Sequence, residues 1–227
     1  MSVPHISYNA AWVPLATGLF PIVAINGIYL AAAFQGQVPW CVPYWDGCSS
    51  ISATGREGVG FYLFKGLMIP AAVLLAANWW VCRAWLAVRF GGVRRGDNWM
   101  LGAGAIAALC LVLYVVALGA AGDDMRLQRR IGVILYFTLT YLAQLLLAAR
   151  LKGTAAIVTW QLYLVAMVLV IGLVTLILDA TLSNYDDYED AFEWVIALCI
   201  HVNFLLIARH MWQTSFGITF HARRLSR

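Results

Sequence analysis

Lys65 lies about one turn inside one long apolar run, and Glu193 lies at the start of another. An ionisable side chain there is costly, and by default it points to function. Asp179 closes another such run, and Ser50 and Ser52 form an S-x-S pair in the polar stretch after Cys41. If these groups meet, carboxylate, ammonium and hydroxyls together can hold a polar headgroup. A Lys65–Glu193 or Lys65–Asp179 pair would lower the cost of each charge. The competing reading is that Lys65 snorkels to the interface on its aliphatic stem. Hydrolytic chemistry lacks its parts. Ser49, Ser50 and Ser52 have no histidine in their loop, and no nucleophile elbow, zincin helix, P-loop or C-x-x-C is found.

Deeper polar residues sort by helical periodicity. Tyr136, Thr140 and Gln144 recur every fourth residue, so they form one stripe that should face other helices. His201 can share a broad face with Glu193 and Asn203, but it lies about 12 Å along the axis from Glu193. That is too far for a direct acid–base pair, and packing by interhelical hydrogen bonds is the favoured role of His201 and Asn203.

The elements that must position these residues follow from composition. Of 227 residues, 63% are hydrophobic and 11% charged. A soluble domain has about 25% charged residues. Six apolar runs, at 12–34, 60–81, 99–120, 131–149, 155–178 and 192–212, each suffice for a transmembrane helix. The expectation is an all-α, six-helix membrane bundle forming a single domain over 1–227. The first run has no basic residue before it and no small-x-small cleavage pattern after it, so it reads as a span rather than a cleaved signal.

With both termini cytoplasmic, the inner side carries ten Lys and Arg against Asp97 alone, and the outer side five against ten acids. That bias supports the orientation. Arg126, Arg129 and Arg130 are a basic patch on the side where such residues are disfavoured. Trp12, Trp79, Trp80, Trp85, Trp99, Trp194 and Trp212 fall near the span ends, as interfacial aromatics do.

Cys41 and Cys48 fall in the first loop, on the expected outer and oxidising side, flanking a Pro43–Gly47 turn. They are expected to form a disulfide. Two thiolates without a loop histidine do not complete a metal site. The acidic run Ser183–Glu193 lacks an EF-hand pattern and reads as the start of a helix, where acids meet the dipole favourably. Gly102, Gly104 and the alanines after them give the third span a small face. It suits a central helix or contact with a membrane-protein partner.

The first loop also carries a family resemblance. Cys41-Val42-Pro43 leading to Ser50 and Ser52, the fourth-span run RRIGVILYFTLTYLAQLL, and Glu193-Trp194 opening the sixth span resemble the Frag/DRAM/Sfk membrane proteins. That family includes the post-GPI-attachment lipid-remodelling factor and the damage-regulated autophagy modulators. Cys48 departs from its pattern, and Gln128-Arg129-Arg130 stands where a histidine is expected. The resemblance implies six spans and a lipid-related role, without supplying a catalytic mechanism. The expected site is an outward-facing lipid pocket between the second, fourth and sixth spans, lined by Ser50, Ser52, Lys65, Tyr136 and Glu193, with the first loop as its lid. A structural subunit and a lipid acyl or headgroup transferase are the alternatives. No cofactor, metal or nucleic acid is expected. The Arg-rich basic set favours a bacterial inner membrane over a secretory-pathway or lysosomal membrane.

Overall fold

Lipid offers backbone amides no hydrogen-bond partners, so each apolar run must satisfy its own as a helix. The computed structural model describes residues 6–182 and 186–220. In chain order the elements are β1 (Ile6–Asn9), α1 (Trp12–Phe34), the short α2 (Pro43–Asp46), a 3-10 turn (Ala53–Gly55), α3 (Gly58–Phe90), α4 (Arg95–Ala117), α5 (Asp123–Leu151), α6 (Ala156–Thr181), α7 (Asp186–Gln213) and β2 (Gly217–Phe220). The fold is all-α. α1 and α3 to α7 are the six helices long and apolar enough to cross a membrane.

Several helices outrun their apolar stretches. α3 continues past Val81 to Phe90, and α5 begins at Asp123 rather than near Ile131. Charged residues break an apolar pattern without breaking a helix, and Asp123 and Asp124 suit the positive end of α5. α3 stops at Gly91, whose φ of 68° is the left-handed cap that glycine adopts without strain. α7 takes up the acidic run from Asp186 as its first turns.

The spans close a ring, α1 to α3 to α4 to α5 to α6 to α7 and back to α1. Its tightest seam is α4–α5 and its loosest is α5–α6. Small residues set the tight packing. A Cβ on Gly104 would overlap the indole of Trp79, so α4 and α3 meet there only because Gly104 has none. Ala107 and Ala108 are buried on the same helix, which spends much of the small face within the chain. α6 is anchored along one half only. Ile157, Val158, Gln161, Val165 and Val168 are buried, and no residue from 169 to 182 is.

Polar pairs tie the core. The Gln144 amide donates to the Ile200 carbonyl at 2.8 Å and accepts from Asn203 at 3.1 Å, joining α5 to α7. His201 Nδ1 lies 2.6 Å from the Ala197 carbonyl one turn earlier. The Tyr136–Thr140–Gln144 stripe is buried as its spacing implied. Asp97 caps the N-terminus of α4 and meets Arg150 at 3.4 Å.

β1 and β2 pair antiparallel, Ile6 opposite Phe220 and Asn9 opposite Gly217. This places the two described ends of the chain on the same face of the bundle, as an even number of spans requires. The first loop and the start of α5 lie at the other end.

Candidate functional site

The first loop is fastened at four points. Cys41 and Cys48 form the disulfide, with Cα atoms 6.6 Å apart. The buried Tyr29 hydroxyl of α1 accepts from the Cys41 amide at 2.8 Å, and it faces the Cys41 and Pro39 carbonyls at 2.9 and 3.0 Å. The Trp194 indole of α7 donates to the Ser49 carbonyl at 2.8 Å. Tyr29 and Tyr44 both pack edge-on against Trp194. The loop thereby delivers Ser50 and Ser52, whose hydroxyls are 3.1 Å apart, to the space between α4, α5 and α7.

A cavity of about 630 Å³ occupies that space. The loop contributes Ser50, Ser52 and Arg56 to its wall. Along α5, Arg126, Arg129 and Arg130 are followed on the same stripe by Val133, Ile134, Phe137 and Thr138. Facing them on α7 are Glu189, Asp190 and Glu193, with Ile196 below. Thr175 is the single α6 residue in the lining. The unanchored half of α6 therefore stands apart from α5 beside the cavity, at the loosest seam of the ring. The result is amphipathic, with charged groups at the end of the bundle and an apolar wall running toward its middle.

The cavity arginines and the α7 acids close no ion pair with each other among the described residues. Among the described residues the only ion pairs within 4.0 Å are Arg126–Asp123 and Arg150–Asp97. Arg56 is near enough to Asp190 and Glu193 to act on both charges, and its guanidinium reaches the Ser52 hydroxyl at 3.4 Å. Tyr114 of α4 is 4% exposed and lines the same cavity, with its hydroxyl near the Ser52 side chain but completing no hydrogen bond of good geometry among the described residues. Beneath it a separate void of about 30 Å³ is bounded by Tyr114, Tyr136, Glu193 and His201.

Of the residues expected at the site, Ser50, Ser52 and Glu193 share the main cavity. Tyr136 lies one layer deeper, on the small void. Lys65 is elsewhere: its ammonium donates to the Val116 carbonyl at 3.3 Å and sits 4.0 Å from the centre of the Phe61 ring. It forms no ion pair with Glu193 or Asp179 among the described residues. The second span therefore does not line the cavity, and α4 takes its place through Tyr114. The three α5 arginines went unassigned because they precede the apolar run. Their i, i+3, i+4 spacing was the available signal.

Fold and cavity define a six-span integral membrane protein with a charged, amphipathic chamber at the end opposite its termini. No family model, curated protein or solved structure matches the chain.

Proposed function

We propose that this protein binds lipid in the cavity between α4, α5, α6 and α7, and so holds, repositions or presents lipid for remodelling. The observation that carries the proposal is the continuous stripe on α5 from Arg126, Arg129 and Arg130 to Val133, Ile134 and Phe137. Guanidinium groups suit a phosphate headgroup and the apolar residues suit its acyl chains. The loose α5–α6 seam gives a lipid a sideways path from the bilayer. The likeness of the first loop to the Frag/DRAM/Sfk proteins supports the same reading. The Lys and Arg bias favours cytoplasmic termini and hence an outward-facing cavity, and the predominance of Arg over Lys favours a bacterial inner membrane.

Native mass spectrometry of the gently extracted protein tests the proposal. The wild type retains phospholipid, and R129Q/R130Q loses it by about tenfold, the effect of weakened charge-assisted contacts. A wild type free of lipid, or a variant retaining as much as the wild type, refutes it.

A further inference from the structure

Four guanidiniums and three carboxyls face a common cavity, and among the described residues none of these carboxyls closes an ion pair with any of the guanidiniums. Arg56 acts on Asp190 and Glu193, and Arg126 is paired with Asp123, which leaves Arg129 and Arg130 facing the α7 acids with no carboxylate at ion-pair distance among the described residues, so an occupant that answers both signs is favoured. A purely anionic headgroup would meet Arg129 and Arg130 well but would lie against Glu189, Asp190 and Glu193. A purely cationic one would have the opposite conflict. The two sets come from different helices, the arginines chiefly from α5 and the acids from α7, so the cavity is polarised across its width.

We infer that the cavity selects a zwitterionic lipid headgroup, an amine-bearing phosphodiester, with its phosphate on the α5 arginines and its ammonium on the α7 carboxyls. This rests on the lipid-binding reading above and adds the class of headgroup. A primary ammonium has three N–H donors, and the acids facing it are acceptors when ionised. The phosphate oxygens are acceptors for the guanidinium forks and for the Tyr114 hydroxyl, a buried donor on the cavity wall beside Ser52 that completes no hydrogen bond of good geometry among the described residues. The Ser50–Ser52 hydroxyl pair can donate to either ester oxygen. An apolar wall below completes a site for a lipid and has no use for a chain-free headgroup.

The full-length protein in detergent, delipidated and titrated by native mass spectrometry with chain-matched lipids, tests this. The probes are phosphatidylethanolamine, phosphatidylglycerol, which keeps the phosphodiester and lacks the amine, and glycerophosphoethanolamine, which lacks the chains. The wild type should bind phosphatidylethanolamine about tenfold more tightly than phosphatidylglycerol. E189Q/E193Q should erase that preference, by weakening phosphatidylethanolamine binding and strengthening phosphatidylglycerol binding. R129Q/R130Q should weaken both. Equal or tighter wild-type binding of phosphatidylglycerol overturns the zwitterion inference and leaves lipid binding standing. Failure of both lipids overturns the lipid-binding reading itself. Glycerophosphoethanolamine binding as tightly as the lipid overturns the lipid as occupant while keeping the headgroup chemistry. The wild-type comparison needs no variant, so a variant that fails to fold does not remove the test.

Discussion

The Trp194 indole donates to the Ser49 carbonyl at 2.8 Å, across 145 residues of sequence. This bond joins the last span to the first loop, immediately beside the Ser50–Ser52 hydroxyl pair. Trp194 is wholly buried and is flanked by Tyr29 and Tyr44, so the ring also serves as a packing post for the loop. W194F keeps most of the ring and leaves the Ser49 carbonyl unpaired. The expected cost is about 1–3 kcal/mol. It should be read as a lower thermal midpoint in detergent, with faster proteolysis within residues 41–57. An unchanged midpoint together with unchanged cleavage would show that the loop is held without this bond.

The Cys41–Cys48 disulfide is the second fastening. Its closed loop is short, so its effect on the unfolded chain is modest, about 2–3 kcal/mol by the loop-entropy relation. C41S/C48S should therefore lower the thermal midpoint and still fold, because the Tyr29 and Trp194 contacts remain. Mass spectrometry after alkylation without reductant should find Cys82, Cys110 and Cys199 as the free thiols, all three buried and so modified only on unfolding. Alkylation of Cys41 or Cys48 in unreduced protein would contradict the structure.

Gly104 offers a packing test with an internal control. A Cβ there meets the Trp79 indole, a wholly buried ring that cannot easily move. G104A should destabilise the protein by about 1–3 kcal/mol through overpacking. G102A, on the same helix with open space around its Cβ, should be neutral or stabilising by up to about 1 kcal/mol, since alanine is the better helix former. Equal effects at both positions would mean that α4 does not approach α3 as closely as described.

The legible part of this protein was what a bilayer forces on a sequence. Six apolar runs had to be helices, and the one between Trp12 and Phe34 matched its helix end to end. The periodicity of Tyr136, Thr140 and Gln144 gave their burial correctly, because a helix fixes which residues share a face. The spacing of Cys41 and Cys48 gave their disulfide. The illegible part was what depends on the order of helices around the ring. Helical spacing puts Lys65 beside Phe61, but nothing in the sequence places it beside Val116 rather than Glu193. Nor does the sequence bring Tyr114, on one helix, to the same cavity as Arg129 on the next. The β1–β2 pairing was also invisible, because ISYN and GITF are too short to carry a strand signal and pair across the whole chain. Apolar patterning located the spans but hid the charged ends of α5 and α7, and these ends build the cavity.

Tyr114 separates a structural role from a binding role. Its hydroxyl is buried beside Ser52 without completing a hydrogen bond of good geometry among the described residues, so it brings a desolvation cost with little compensation from the protein. Y114F removes that hydroxyl and keeps the ring, which packs edge-on against Phe64. If packing is all that Tyr114 does, the variant should match or exceed the wild type in every condition. If the hydroxyl donates to a bound lipid, the two proteins diverge once lipid is present. Delipidated Y114F should then be as stable as the wild type or more so by about 1 kcal/mol, and its stabilisation by added phosphatidylethanolamine should be smaller. Thermal midpoints measured with and without lipid check this directly. A lipid-induced shift in Y114F equal to that of the wild type would remove Tyr114 from the site and leave it as a core residue.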